Sequence, residues 1–388
     1  MPVDELTSLR NEIRRLANTR YADRVREWDA ERKPVDASER KYLGDQGFLG
    51  IALPEEYGGS GGSYAEALVV VEELGRVYPS AAFQVFESNT GPAQAVLALG
   101  SEYLKRRYLP RIAAGDLTMA VCISEPDAGS AATDMRTKAE VHGDKVVING
   151  RKRWISNGGE ADAYLVYARM SSEPGARGIG AIVVDADTPG LSFGERERLM
   201  GFRTVPSADV VFDDVEVPVE NVLVLPPEGF KKLFGCFSIE RLGNTTMSLA
   251  LAQEALDRTV EYVKEREQFG RPIADFQAVQ LTLADMLIQV ESARLLRDRA
   301  VASLDRGEIS VLEVSLAKCA ANEAARRVTA MAMELHGGNG YTEEFGIERL
   351  HRDSHGWALA GGTPSIQKLR IASELLGRTS SQRQAPTR

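Results

Sequence analysis

The 388-residue sequence predicts an α+β protein of three successive parts: helices, a β-rich middle, and a helical bundle. Three observations carry this. Apolar residues recur at three- and four-residue spacing in the first part and again in the last. Between them lie short segments rich in β-branched and aromatic residues, punctuated by Gly, Asp and Pro. No helix-length pattern separates those segments, which argues for an antiparallel barrel or sandwich rather than a parallel, doubly wound sheet. The expected domains are 1–117, 118–228 and 229–388.

In the first part, "MPVDELTSLRNEIRRLANTR" reads as a charged helix and not as a signal peptide. "AEALVVVEELGRV" and "GPAQAVLALGSEYLKRRYLPRIAAG" have helical apolar spacing, with the glycine-rich loop "PEEYGGSGGS" before them. In the middle part, "TMAVCIS", "KAEVHGDKVVING", "ADAYLVYARM", "GIGAIVVDA" and "SADVVFDDVEV" read as strands, and "VHGDKVV" as a hairpin turn. In the last part, Leu242, Leu249, Ala252, Leu256, Val260 and Val263 mark one face of a long helix. "AVQLTLADMLIQVESARLL" and the alanine-rich "VLEVSLAKCAANEAARRVTAMAMELHG" give two more, suited to close bundle packing. "WALAGGTPSIQKL" predicts a helix start, with Thr363 as N-cap and Pro364 at the first helical position. "TSSQRQAPTR" reads as a polar, frayed end.

Composition narrows the function classes. A net charge of −9 argues against a nucleic-acid surface. No apolar run approaches the roughly 18 residues of a membrane span. Cys122, Cys236 and Cys319 are odd in number and far apart, which fits a reducing cytoplasm rather than a disulfide framework. His142, His336, His351 and His355 are too sparse for a metal cluster, and His351 and His355 read as surface or packing residues, so no metal is expected.

Five stretches could carry a ligand, and each has a plainer reading. "AVCISEPDAGSAATDM" places Ser124, Ser130 and acidic groups in a loop that could cradle a polar cofactor, or simply be solvated. "GRKRWISNGG" puts Trp154 and Ser156 on a strand, where the indole is either core or the flank of a flat cofactor. In "EREQFGRPIADFQ", Arg266 and Arg271 could pair with phosphate, or lie in an interhelical turn. "HGGNGYTEE" either admits close backbone approach or caps a helix. Paired glycines in "WALAGGTPSIQKL" leave bare backbone before a positive helix end. "GGSGGS" and "GIG" do not follow a strand and open a helix, so neither is a dinucleotide fingerprint.

Together, in order, "PEEYGGSGG", "CISEPDAGS", "RWISNGG", "REQFGRPIADFQ", "GGNGY" with "ERLHRD", and "GGTPSIQ" make the chain resemble the acyl-CoA dehydrogenase family from about Leu6 to Arg378. The resemblance implies an N-terminal helical domain, a middle antiparallel β domain and a C-terminal four-helix bundle. It also implies FAD, an acyl thioester substrate and a homotetramer. Val121, Cys122, Ser124, Ser130, Trp154 and Ser156 would contact the flavin. Arg266, Gln268, Phe269, Ile273 and Gln277 would hold FAD from a neighbouring subunit, and Gly337 and Gly338 would line its adenosine end. Thr363 and Ser365 would sit near the pyrophosphate, where a helix N-terminus favours an anion. Ser130, Ser238, Arg241 and Gly362 would face the substrate.

The chain departs from the family pattern at one position. Most members read Glu-Gly-Thr where this sequence has Gly361-Gly362-Thr363, and that Glu is their general base. Ala360 replaces the usual aromatic residue. Gly361 keeps a backbone N–H as an oxyanion donor but offers no carboxylate. In the isovaleryl-CoA and long-chain branches the base sits on the long bundle helix, at the position of Glu240 in "FSIERLGN", expected at the start of that helix. The resemblance therefore implies α,β-desaturation of an acyl thioester, with Glu240 as base and flavin N5 as hydride acceptor. Electrons would pass to electron-transferring flavoprotein or a similar acceptor. The alternatives are a relative with lyase, desulfinase or oxygenase chemistry, one acting on carrier-protein-bound acyl groups, or a protein that keeps FAD or CoA for structure alone.

Overall fold

A computed structural model describes residues 3–378. The first helices are α1 (Val3–Tyr21), α2 (Val25–Glu31), α3 (Ala37–Asp45) and α4 (Tyr64–Val77). Ser63 and Glu66 close a reciprocal capping box at the start of α4, satisfying N–H groups that the first helical turn leaves bare. Glu72 and Glu73 on α4 are fully buried, and Arg10 and Arg14 of α1 neutralise them, with Arg10 Nη1 2.6 Å from Glu73. Three further helices run nearly end to end: α5 (Pro79–Thr90), α6 (Pro92–Leu99) and α7 (Glu102–Ala113). Proline opens α5 and α6, and Ser101 caps α7. The single periodic stretch expected over 91–115 is thus two helices, parted at Gly100.

The middle strands are β1 (Met119–Cys122), β2 (Lys138–His142), β3 (Lys145–Ser156), β4 (Ala163–Arg169), β5 (Ile179–Asp185), β6 (Leu191–Phe193), β7 (Ser207–Pro218) and β8 (Val222–Val224). Their order is β6-β7-β3-β2-β4-β5-β8, with β1 on β4. The pairing is antiparallel except at β1–β4 and at one β2–β4 position. The hairpin expected at "VHGDKVV" joins β2 to β3, with His142 opposite Lys145 and Gly143 at φ 65°.

Strands β4 and β5 are buried on both faces, which is why they read as continuous apolar runs. Alternate residues feed two cores. Leu165, Tyr167, Ala181 and Val183 pack with Val96, Leu104, Tyr108 and Ile112 of α6 and α7, whereas Tyr164, Val166, Ile182 and Val184 pack within the sheet.

The long helix α8 (Gly229–Glu265) follows, then a small hairpin of β9 (Glu267–Gln268) and β10 (Arg271–Pro272). The remaining helices are α9 (Gln277–Asp305), α10 (Val311–His336), α11 (Ile347–Leu359) and α12 (Pro364–Leu376). On α8, Leu242, Leu249, Ala252, Leu256 and Val263 are buried as the apolar spacing predicts, and Val260 of the same face is half-buried. Ala321 and Ala324 of α10 lie in one cluster with Ala293 of α9 and Leu249 of α8. The small side chains let these helices approach closely. Among the described residues no helix is long and apolar enough to cross a membrane. The frayed end expected for "TSSQRQAPTR" lies outside the described residues.

The chain divides into two units, Met1–Gly243 and Asn244–Arg388, with the division inside α8. Within the first unit, Gly243 lies against Phe86 and Thr90 of α5: a Cβ there would clash with the Phe86 ring and fall 2.5 Å from Thr90 Oγ1. Alanine is normally better than glycine in a helix by about 1 kcal/mol. Overpacking has the opposite sign and is larger here. Gly243→Ala is therefore expected to lower stability by about 1–3 kcal/mol, read from the denaturant midpoint. A stabilised variant would show that the two helices do not meet this closely.

Candidate active site

Residues of the first unit are arranged around the exit of β1. Val121 is half-buried on β1. Cys122 lies in the sheet core, where burial pushes its thiol up to about 12, so only its backbone is presented outward. Beyond β1 the loop of 123–137 carries Ser124 and the exposed Ser130. One buried ion pair ties this loop down. Lys152 Nζ, fully buried on β3, lies 2.9 Å from Glu125 Oε1 and donates to Ile123 O at 2.9 Å. Glu125 also accepts from Arg136 N at 2.6 Å and Thr137 N at 2.9 Å. Burial alone would raise the Glu125 carboxyl, but Lys152 and these N–H groups hold it below its ordinary value. Of the acidic groups in this loop, Glu125 thus turns inward as an anchor, and Asp127 is exposed beside Arg136.

Trp154 faces out because of a local irregularity in β3. In a regular strand residues 152 and 154 share a face, and Lys152 is buried. The register on β7 shifts between Lys152 and Ile155, and Trp154 takes φ 62°, so the indole is 55% exposed. Arg153 stacks over the indole at 4.5 Å and is held by Glu197 at 2.6 Å. Arg153 N donates to Ser124 O at 2.9 Å, which fixes the β1 exit beside this part of β3. Ser156, at the end of β3, is exposed.

Glu240 is half-buried on α8 and stands eleven residues into the helix, about three turns from its start, not at the start as the sequence suggested. Its neighbours Ser238 and Arg241 are buried, and the Arg241 guanidinium lies over the rings of Phe234 and Phe237 at 4.7 and 5.3 Å. Across from it on α5 is Glu87, which sequence reasoning missed. Burial, and next the charge of Glu240, push the Glu87 carboxyl well above the ordinary carboxylate range. The same two influences, with Cys236, raise the Tyr167 hydroxyl.

In the second unit, Arg266, Gln268 and Phe269 sit on or beside the β9–β10 hairpin, whose turn residues Phe269 and Gly270 have φ 53° and 78°. Phe269 is 94% exposed. Ile273 follows half-buried, and Gln277 opens α9. Gly337 caps α10 at φ 59°, and neither it nor Gly338 has anything within 4 Å of where a Cβ would stand. Tyr262 fixes that turn, stacking on His336 at 4.1 Å and accepting from Asn339 Nδ2 at 3.0 Å.

At the α11–α12 corner, Gly361 and Gly362 both have positive φ, 65° and 97°, which glycine adopts without strain. Gln367 Nε2 donates to the carbonyl oxygens of Gly361 and Gly362, each at 3.3 Å. Thr363 caps α12, accepting from Ile366 N at 3.4 Å, and the exposed Ser365 follows Pro364. Buried Asn244 and Lys318 hold the preceding helix end by donating to Trp357 O at 3.1 and 3.4 Å.

These residues suit FAD on physical grounds. Two aromatic rings, Trp154 and Phe269, are exposed on left-handed backbone, a strained arrangement that occurs preferentially at functional sites. Hydroxyls, a capped helix N-terminus and side-chain-free glycines supply donors and room for the polar parts.

Family models agree with this reading. The acyl-CoA dehydrogenase N-terminal, middle and C-terminal domains match residues 3–116, 120–215 and 227–376. The chain is 40% identical over 388 residues to the 3-sulfinopropanoyl-CoA desulfinase of Paraburkholderia xenovorans (strain LB400), covering 98% of each. It is 36% identical to the glutaryl-CoA dehydrogenase of Desulfococcus multivorans, covering 96% of this chain and 97% of that one. A solved glutaryl-coenzyme A dehydrogenase in its glutaryl-CoA complex superposes with a TM-score of 0.94 at 35% identity, over 99% of this chain and 98% of the other.

The buried ion pair gives a direct test of loop anchoring. Lys152→Met is expected to cost about 3–5 kcal/mol, because Glu125 is left buried and charged. Adding Glu125→Gln should restore part of that loss. Urea unfolding of the three proteins measures it, and an unaltered midpoint for Lys152→Met would contradict the anchoring role.

Proposed function

This chain belongs to the acyl-CoA dehydrogenase family and is an FAD-dependent oxidoreductase; we propose that it desaturates an acyl thioester between Cα and Cβ with Glu240 as general base. The supporting observation is the placement of carboxylates. Position 361 is a glycine on left-handed backbone, while α8 brings Glu240 into a partly buried space beside a second carboxyl group.

Abstracting a proton next to a thioester requires a base for the proton and donors for the developing enolate oxygen. Glu240 takes the α-proton. Gly361, without a side chain, supplies a backbone N–H as donor. Bound FAD supplies the acceptor for the β-hydride. Val121, Cys122, Ser124, Ser130, Trp154 and Ser156 hold it from the β domain, Cys122 through its backbone. Arg266, Gln268, Phe269, Ile273, Gln277, Gly337 and Gly338 do so across a subunit boundary, and Thr363 and Ser365 at the α12 start. Ser130, Ser238, Arg241 and Gly362 position the substrate. The assembly is a homotetramer in the cytoplasm, and electrons leave to an electron-transferring flavoprotein. An acyl group on CoA is the simplest substrate; a carrier-protein thioester presents the same reacting carbons.

A second reading has its own observation. One relative, at 40% identity, is a 3-sulfinopropanoyl-CoA desulfinase. Desulfination of such a thioester would break the C–S bond with one water, forming a C–H bond and sulfite with no net transfer of electrons to the flavin. Anaerobic mixing separates the two: bleaching of the flavin by an acyl thioester alone supports dehydrogenation, and sulfite release with the flavin still oxidised supports desulfination.

For dehydrogenation, Glu240→Gln is expected to lower kcat by roughly 10² to 10⁴ with FAD content unchanged. A variant that reduces its flavin at the wild-type rate would exclude Glu240 as the base.

A further inference from the structure

We propose that Asn244 is a positioning residue for the backbone donor at Gly361: its side-chain amide holds the peptide between Ala360 and Gly361 so that the Gly361 N–H keeps one direction. This rests on the reading of that N–H as donor to the thioester oxygen.

A trans peptide is one rigid plane, so Ala360 C=O and Gly361 N–H point in opposite directions. Whatever holds the oxygen therefore aims the N–H. Sterics alone do not choose between the two faces of this plane. Ala360 has φ −70° and ψ 151°. Turning the plane over carries its ψ to about −30°, inside the allowed right-handed helical region. Gly361, at φ 65°, accepts the accompanying negative φ as readily. Asn244 makes the difference. Its Nδ2 donates to Trp357 O at 3.1 Å and to Ala360 O at 3.4 Å. In the inverted plane the Gly361 N–H would face that Nδ2, and two donors cannot bond each other.

The direction of the Asn244 amide is itself dictated by a chain of side chains within the second unit. Asn244, Ser248, Lys318 and Asn322 are all fully buried. An ammonium group only donates, so Lys318 Nζ, 2.8 Å from the Asn322 amide, requires that amide's oxygen to face it. This turns Asn322 Nδ2 toward Asn244 Oδ1 at 3.1 Å and Ser248 Oγ at 2.7 Å. Asn244 Oδ1 is then the accepting end, and its Nδ2 faces the carbonyl groups. Lys318 also donates to Trp357 O at 3.4 Å, at the negative end of α11. Gln367, fully buried as well, holds the next two planes by the Gly361 and Gly362 oxygens. Three successive peptides of the corner are thus each fixed at oxygen. A donor aimed in advance needs no reorientation when charge develops on the thioester oxygen, which is where such a group gains most.

The test uses the holoenzyme and acetyl-CoA carrying ¹³C at the thioester carbonyl, a probe with α-hydrogens and no β-hydrogen to give up. Isotope-edited infrared spectroscopy reads the carbonyl stretch of the bound probe, and mass spectrometry reads exchange of its α-hydrogens with solvent deuterium. In wild type the stretch is expected to lie below its value in water. In Asn244→Leu, of similar volume but without the amide, that shift should shrink. Exchange should slow by roughly 10- to 100-fold, less than the loss of a whole donor, while affinity for the probe changes little. A merely structural role would lower stability and FAD content but leave the stretch of the bound probe at its wild-type position, and that result would overturn the proposal. If Asn244→Leu yields no FAD-loaded protein, Asn322→Leu, which removes the bond that directs the Asn244 amide, is read in the same way. A wild-type stretch no lower than in water would refute the donor reading of Gly361 itself, whereas a wild-type shift retained in the variant refutes the positioning role alone.

Discussion

The close passage of α8 over α5 is the constraint on which the packing around Glu240 depends. Glycine at position 243 permits it, and a side chain there would meet the Phe86 ring. Burial, and next the charge of Glu240, push the Glu87 carboxyl of α5 above the ordinary carboxylate range. A helix of 37 residues is suited to this task, since its backbone is fixed by its own hydrogen bonds and sets the direction of Glu240 over a span of several turns. Glu240 stands well inside α8, beyond the terminal turn within which the helix dipole acts.

The α11–α12 corner is the other half of the departure from the family pattern. Its backbone is held by Asn244 and Lys318 on the α11 end and by Gln367 on the two glycine carbonyls. At φ 65°, a non-glycine residue at 361 would be strained by about 1–2 kcal/mol. Losing the side chain there removes that strain and leaves the main chain in place.

Much of the fold was legible because it follows local rules. The Thr363-Pro364 helix start, the Gly143 hairpin and the apolar face of α8 each rest on a short pattern with one physical cause. The fold class and the family were legible from motif order. What escaped was set by tertiary packing. Helix α5 is buried on ten of its twelve residues, so it shows no amphipathic stripe, and Glu87 could not be told from an ordinary surface acid. Lys152 sits in "GRKRW", which reads as a charged strand edge, yet its ammonium is inside, paired with Glu125. Trp154 is turned outward by a register shift that no side-chain pattern encodes. The candidate positions on the β9–β10 hairpin and around Gly337 were legible only through the family motifs, since exposed loops carry no burial signal.

The most direct measurement is exchange of the substrate α-hydrogen with solvent deuterium, using an acyl thioester that has no β-hydrogen. Such a compound can lose a proton but cannot give up hydride, so exchange isolates the base from the flavin. The wild-type holoenzyme is expected to exchange that hydrogen, and Glu240→Gln with FAD bound is expected not to. Exchange at the wild-type rate in Glu240→Gln would contradict the assignment and place the proton acceptor elsewhere in the protein.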